Sequence, residues 1–209
     1  MENIILIHGS GHQAASWRET VSHLNHKEDV LCPELASLLA GKAASYPNLY
    51  AAFAEYCARI GGPVHLCGLS LGGILALNYA LDSPGSVKTL VLIGTPHKVP
   101  KAAFALQNVV FRLLPQSTFA SMAFDKKNTF ALGNSMRDLD FSGRVQKIRC
   151  PTLILCGEKD RANIQSARFL SQNIRGAQLQ LIAQTGHVVN EENPSALAER
   201  LNEFYSLYS

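Results

Sequence analysis

The chain has 209 residues, 47% hydrophobic and 17% charged, with a formal net charge of +3, which fits one globular domain with a sizeable core. The 19 basic and 16 acidic residues are scattered, with no arm or run, which argues against a nucleic-acid partner. No apolar run approaches the ~20 residues needed to span a bilayer.

The chain opens on the apolar run "NIILIH" (3–8), which reads as a strand. "MENIILIHG" does not fit a secretion signal, because Glu2 stands where a basic region should be. Five cysteines (Cys32, Cys57, Cys67, Cys150, Cys156) form no C-x-x-C pair. They read as small buried hydrophobes in a protein of the reducing cytoplasm, with no metal site.

The turn after this strand, "IHGSGHQAASW", admits two interpretations. Gly9-Ser10-Gly11-His12-Gln13-Ala14 matches the dinucleotide fingerprint, with Glu34 at about the spacing of a ribose contact. The same residues also fit a His-Gly turn whose amides hold a developing oxyanion. The first implies a cofactor-dependent oxidoreductase, the second a hydrolase.

Further strands are predicted at "DVLC" (29–32), "VHLCG" (64–68), "TLVLIG" (89–94), "TLILCG" (152–157) and "QLQLIA" (178–183). Most are continuous in apolar residues, the mark of parallel strands covered on both faces. Leu49, Phe53, Tyr56 and Ile60 recur at helical spacing. So do Leu197, Leu201, Phe204 and Tyr208, behind Asn193 as a cap and Pro194 in the first turn. The alternation predicts an open α/β sheet with its site at the carboxyl ends of the strands.

Residues 97–148 carry helical patterns and no strong strand. That is too long for a simple connection, so they read as a helical cap inserted into one core domain made of residues 1–96 and 149–209. Apolar residues such as Phe104, Phe111 and Phe124 would form the cap's own small core, with a subset facing the site. Exposed apolar cap surface could also pair two copies as a homodimer.

Three strand ends carry chemistry. Gly68-Leu69-Ser70-Leu71-Gly72 is a G-x-S-x-G turn between strand and helix, which lifts the Ser70 hydroxyl clear of the sheet. His187, after the last strand, is the expected base, and Asp160, after the fifth, the acid that orients it. Glu158 is the rival acid. The fourth strand ends "GTPH", which puts His97 in position to line the site.

"HGSG", "GLSLGG", "PTLILCGEKD" and "TGHVVNEENP", with the order Ser70, Asp160, His187, resemble an α/β-hydrolase fold protein over essentially the whole chain. The first two look most like small carboxylesterases and the branch that holds methylesterases and hydroxynitrile lyases. The resemblance implies an open, mostly parallel sheet of about six strands with helices on both faces. It implies oxyanion-hole amides from Ser10 and Leu71, no metal or other cofactor, and a small-molecule ester substrate. Gly9, His97, Phe104, Phe111 and Val188 are the expected pocket lining.

Two departures stand out. Leu69 occupies a position where relatives often carry His, Gln or Tyr. "CPELASLLAG" lacks the family's usual Asp-x-x-Gly-x-Gly pattern, so that loop should differ in shape beside the site. Alternatives within the fold are a lyase, a thioesterase or lactonase, and a non-catalytic ligand binder. The dinucleotide interpretation leaves Ser70, Asp160 and His187 without roles.

Overall fold

A computed structural model describes residues 3–99 and 122–208. Six strands form one sheet: β1 (Ile4–Ile7), β2 (Val30–Leu31), β3 (Val64–Leu69), β4 (Val87–Ile93), β5 (Thr152–Gly157) and β6 (Gln178–Ile182). Their order is β2-β1-β3-β4-β5-β6, and every neighbouring pair is parallel. The order reverses between β1 and β3, so a crevice opens at the carboxyl ends of those strands. All six apolar runs singled out in the sequence are strands.

The inner strands are mostly hydrophobic because both faces are covered. Along β1, Ile5 and Ile7 join one core cluster, while Ile4 and Leu6 join the other. The same alternation places Leu90 and Leu92 of β4 on the first face and Val91 and Ile93 on the second. Among the described residues, five helices cover the first face: α2 (Leu35–Leu38), α3 (Tyr46–Ile60), α4 (Leu71–Asp82), α5 (Lys126–Met136) and α6 (Ile164–Asn173). The second face holds α1 (Arg18–Ser22), α7 (Val189–Glu192) and α8 (Pro194–Ser206). Among the described residues, no helix is long and apolar enough to cross a membrane.

Two helix starts show how local sequence sets the boundaries. Ser45 caps α3, its hydroxyl accepting from the Asn48 amide at 3.4 Å, with Pro47 in the first turn. Asn193 precedes α8 as expected, but its side chain makes no cap bond. It donates instead to Thr185 Oγ1 at 3.5 Å.

The insertion leaves the sheet after β4 and returns before β5. Its ends run antiparallel: Phe141 N donates to the His97 carbonyl at 2.9 Å and Val99 N to the Leu139 carbonyl at 3.0 Å. Phe124, Leu132, Met136, Phe141, Val145 and Ile148 join the main core cluster. Phe124, expected in a core of the cap's own, is thus part of the domain core. Ser135 of α5 accepts the Tyr46 amide of α3 at 2.7 Å, which ties the return leg to the sheet's helical cover. Phe104 and Phe111, expected in the pocket, lie outside the described residues.

Candidate active site

The turn after β3 is built by exclusion. A Cβ on Gly68 would run into the backbone of Gly72 and Gly73, and one on Gly72 into the Ile7 carbonyl. Only glycine lets α4 start this close to β1 and β3. The tight turn drives Ser70 to φ 53°, ψ −111°, a conformation that a non-glycine residue adopts only when its surroundings enforce it. Its amide is held by the Ile93 carbonyl at 2.9 Å. The Ser70 hydroxyl makes no hydrogen bond to the described residues, His187 included. Such contacts are often long before substrate binds.

The next residue of β4's exit, Gly94, has φ 51°. The point a Cβ would take there is 3.0 Å from His187 Nδ1 and 3.2 Å from Asp160 Oδ2. The imidazole and the carboxylate therefore rest on Gly94, one residue along β4 from the carbonyl that holds Ser70. A side chain at 94 would displace both.

His187 Nδ1 lies 2.7 Å from Asp160 Oδ2. An ionised carboxylate only accepts, so Nδ1 carries a proton and the neutral ring keeps its lone pair on Nε2. Asp160 is 3% exposed and His187 38%, so the acid is sheltered while the imidazole reaches the crevice. Asn163 completes the pair: its side-chain amide donates to both Asp160 oxygens at 3.0 and 2.9 Å, and its backbone N–H adds a bond of 3.2 Å. Burial alone would raise the Asp160 pKa. The bonds from His187 and Asn163 outweigh it, and the carboxyl lies below its usual range.

The loop carrying His187 has its own clamp. Glu192 accepts the Gly186 amide at 2.6 Å and the Val188 amide at 3.1 Å, so one carboxylate holds both amides flanking the imidazole. Glu158, the rival acid, accepts the Gln184 amide at 2.9 Å and serves the neighbouring turn.

Leu71 opens α4, so its N–H is among the first helix amides with no intrahelical acceptor. Ser10 follows Gly9, whose Cβ position would lie 3.6 Å from Ser70 Cβ. His8 braces this turn: its ring is fully buried, Nδ1 is 2.8 Å from the Gly9 carbonyl, and Nε2 accepts the Leu35 amide at 3.1 Å. Burial lowers the His8 pKa, outweighing Gly9 and Glu34, which favour the charged ring. Glu34 accepts the Ala14 amide at 2.9 Å and lies 3.1 Å from His8 Nε2. Through these contacts the segment after β2, unusual in sequence, grips the His-Gly turn.

His97 is buried, stacked on Phe169 with ring centroids 4.0 Å apart, and bonded to Ser166 Oγ at 3.0 Å. Burial and Lys98 lower its pKa against the pull of Asp140. Val188 is half-buried and packs on the second core cluster.

A parallel sheet bearing a strained serine at its order reversal and a carboxylate–imidazole pair two strands along defines an α/β hydrolase fold. The chain belongs to the alpha/beta hydrolase family, whose sequence profile matches residues 4–200. It is 22% identical to a monoacylglycerol lipase of Xenopus laevis, over 98% of this chain and 75% of that protein. It is 25% identical to the 2-hydroxy-6-oxo-2,4-heptadienoate hydrolase of Pseudomonas putida, over 96% of this chain and 88% of that one. Among solved structures, a thermophilic esterase from Thermogutta terrifontis superposes with a TM-score of 0.82 at 19% identity, covering 100% of this chain and 91% of the esterase.

Sequence reasoning named Ser70, Asp160 and His187 but missed Gly94, Asn163, Glu192 and the structural use of Glu34. "GTP" after β4 was a signal for Gly94, since a glycine at a strand end often marks close approach.

Proposed function

We propose that the protein is a serine hydrolase that cleaves small to medium carboxylic esters through an acyl-enzyme on Ser70. The observation that carries this is the Asp160–His187 bond of 2.7 Å, resting on Gly94 beside the strained Ser70. Of the named relatives, the monoacylglycerol lipase is named for ester chemistry, while the heptadienoate hydrolase supports hydrolysis in general.

Ser70 Oγ attacks the ester carbonyl while His187 Nε2 takes its proton. Asp160 stays ionised, holds Nδ1–H and stabilises the imidazolium. The amides of Ser10 and Leu71 receive the oxyanion, where loss of one donor typically costs about 10²–10³ in rate. Nε2–H then passes its proton to the leaving alkoxide. Water, deprotonated by the same nitrogen, attacks the acyl carbonyl; as the bond to Ser70 Oγ breaks, Nε2–H returns that proton to Oγ and the acid leaves. Gly9, next to Ser70, is assigned to the pocket lining together with Val188, the neighbour of His187, and His97, which follows β4. We assign the insertion to the pocket's cover.

The test is rapid-mix kinetics with p-nitrophenyl esters of graded acyl length. A burst of nitrophenol stoichiometric with enzyme, lost in Ser70→Ala, is expected. A burst that survives in Ser70→Ala, or ester turnover independent of Ser70, overturns the assignment. Cleavage of a cyanohydrin without ester turnover would instead favour a lyase.

A further inference from the structure

His12 lies in the His-Gly turn but has no part in the chemistry assigned above. The point a Cβ on Gly9 would occupy is 3.2 Å from His12 Nδ1 and 3.6 Å from Ser70 Cβ, so the imidazole is a near neighbour of the nucleophile. Nδ1 is sealed from solvent and has no hydrogen-bond partner among the described residues. Nε2 also lacks a partner there, yet it is not sealed. A buried polar atom left unpaired calls for an explanation.

The two nitrogens are thereby told apart. A proton on Nδ1 would be a desolvated donor with no acceptor. The Gly9 Cα–H facing that nitrogen is itself a weak donor and suits a lone pair. An imidazolium would bury a charged N–H without a partner. Burial lowers the His12 pKa, and His8 and His187 oppose a positive charge on it, while Glu191 alone favours one. The ring is thus neutral, with its proton on the accessible Nε2. The segment around it is held as well. His12 N donates to the Gly9 carbonyl at 3.2 Å, Gln13 Nε2 to the Met122 carbonyl at 3.4 Å, and Ala14 N to Glu34 at 2.9 Å.

We propose that His12 is a specificity-determining residue of this site, whose Nε2–H donates a hydrogen bond to a second, uncharged oxygen of the substrate close to the scissile carbonyl. The inference rests on the esterase assignment above. A neutral donor suits an ether, keto or hydroxyl oxygen better than a carboxylate, which would favour a cation. The preferred esters therefore carry such an oxygen, in either the acyl or the alcohol half.

Two isosteric pairs separate the halves: p-nitrophenyl methoxyacetate against butanoate, and 2-methoxyethyl against butyl acetate. The readout is the kcat/KM ratio of ether to alkyl ester, so any general loss of activity cancels. In His12→Leu the ratio should fall about three- to tenfold relative to wild type on one pair. His12→Gln, which keeps a side-chain N–H, should retain most of it. The pair that responds identifies the half bearing the oxygen, and ratios unchanged on both pairs overturn the proposal.

A second measurement needs no turnover. Long-range ¹H–¹⁵N spectra of Ser70→Ala protein should show His12 as the Nε2–H tautomer. Its Nε2 resonance should move with 2-methoxyethyl methoxyacetate and not with butyl butanoate. A proton on Nδ1, or identical spectra with both ligands, refutes the role. Absence of Ser70-dependent turnover in wild type would defeat the esterase assignment, while these spectra would still decide His12.

Discussion

At the scale of single residues, the proposed base is held through its backbone as much as through its ring. Asp160 and Asn163 fix one edge of the imidazole, and Glu192 fixes the backbone around it, by accepting the amides on either side of His187. Loosening those two bonds leaves the reacting groups intact and spoils their alignment. A misplacement of about 1 Å can cost about 10²-fold in rate. Glu192→Ala should therefore lower kcat by about 10²-fold with KM changed far less, and with the Asp160–His187 pair still present. Glu192→Gln, which keeps one acceptor oxygen, should fall between the two. Steady-state kinetics with circular dichroism as a fold check would decide, and an unchanged kcat in Glu192→Ala would exclude the clamp.

At the scale of elements, the β3–α4 turn shows which parts of the molecule were legible in the sequence. "GLSLGG" announced its geometry because each glycine answers to backbone atoms a few residues away or across one strand. The inner strands were legible for a similar reason: burial on both faces leaves largely apolar runs. Gly94, beyond the cue of a glycine at a strand end, and Glu34 act on partners that only the folded topology brings close, whereas Asn163 and Glu192 serve neighbours three to six residues away through contacts that no residue pattern marks. Phe124 was misplaced because apolar spacing shows that a residue is buried but not against what. The turn's steric logic gives a prediction. A Cβ at Gly72 meets the Ile7 carbonyl, which no rotamer change can relieve, so Gly72→Ala should cost about 1–3 kcal/mol. Gly85 has nothing within 4 Å of its Cβ position, so Gly85→Ala should be near neutral. Urea midpoints of the two variants would compare them directly, and equal midpoints would show that β1 can retreat from α4.

Across the whole molecule, burial shifts three histidines in the same direction. His8 and His12 follow β1 and His97 follows β4, yet burial is the largest cause of a lowered pKa in each. Their ordinary value is 6.5. As pH falls through it, the unfolded chain takes up protons that the folded chain refuses. Stability rises with pH wherever the unfolded state binds more protons, so these three groups make the fold lose stability from pH 7.5 towards pH 5. Asp160 adds to the same trend lower down. Its depressed carboxyl stabilises the fold above the ordinary value of 3.8, and that contribution is lost as pH falls through the folded-state value. Urea midpoints should therefore fall between pH 7.5 and 5.5. In His97→Phe, which keeps a ring against Phe169, the slope should flatten because one titrating group is gone. A midpoint that holds or rises on acidification would mean that these rings accept protons in the folded state. The His-Gly turn would then be built around imidazolium charge, and Glu34 would be paired with a cation at His8 instead of standing beside a neutral ring.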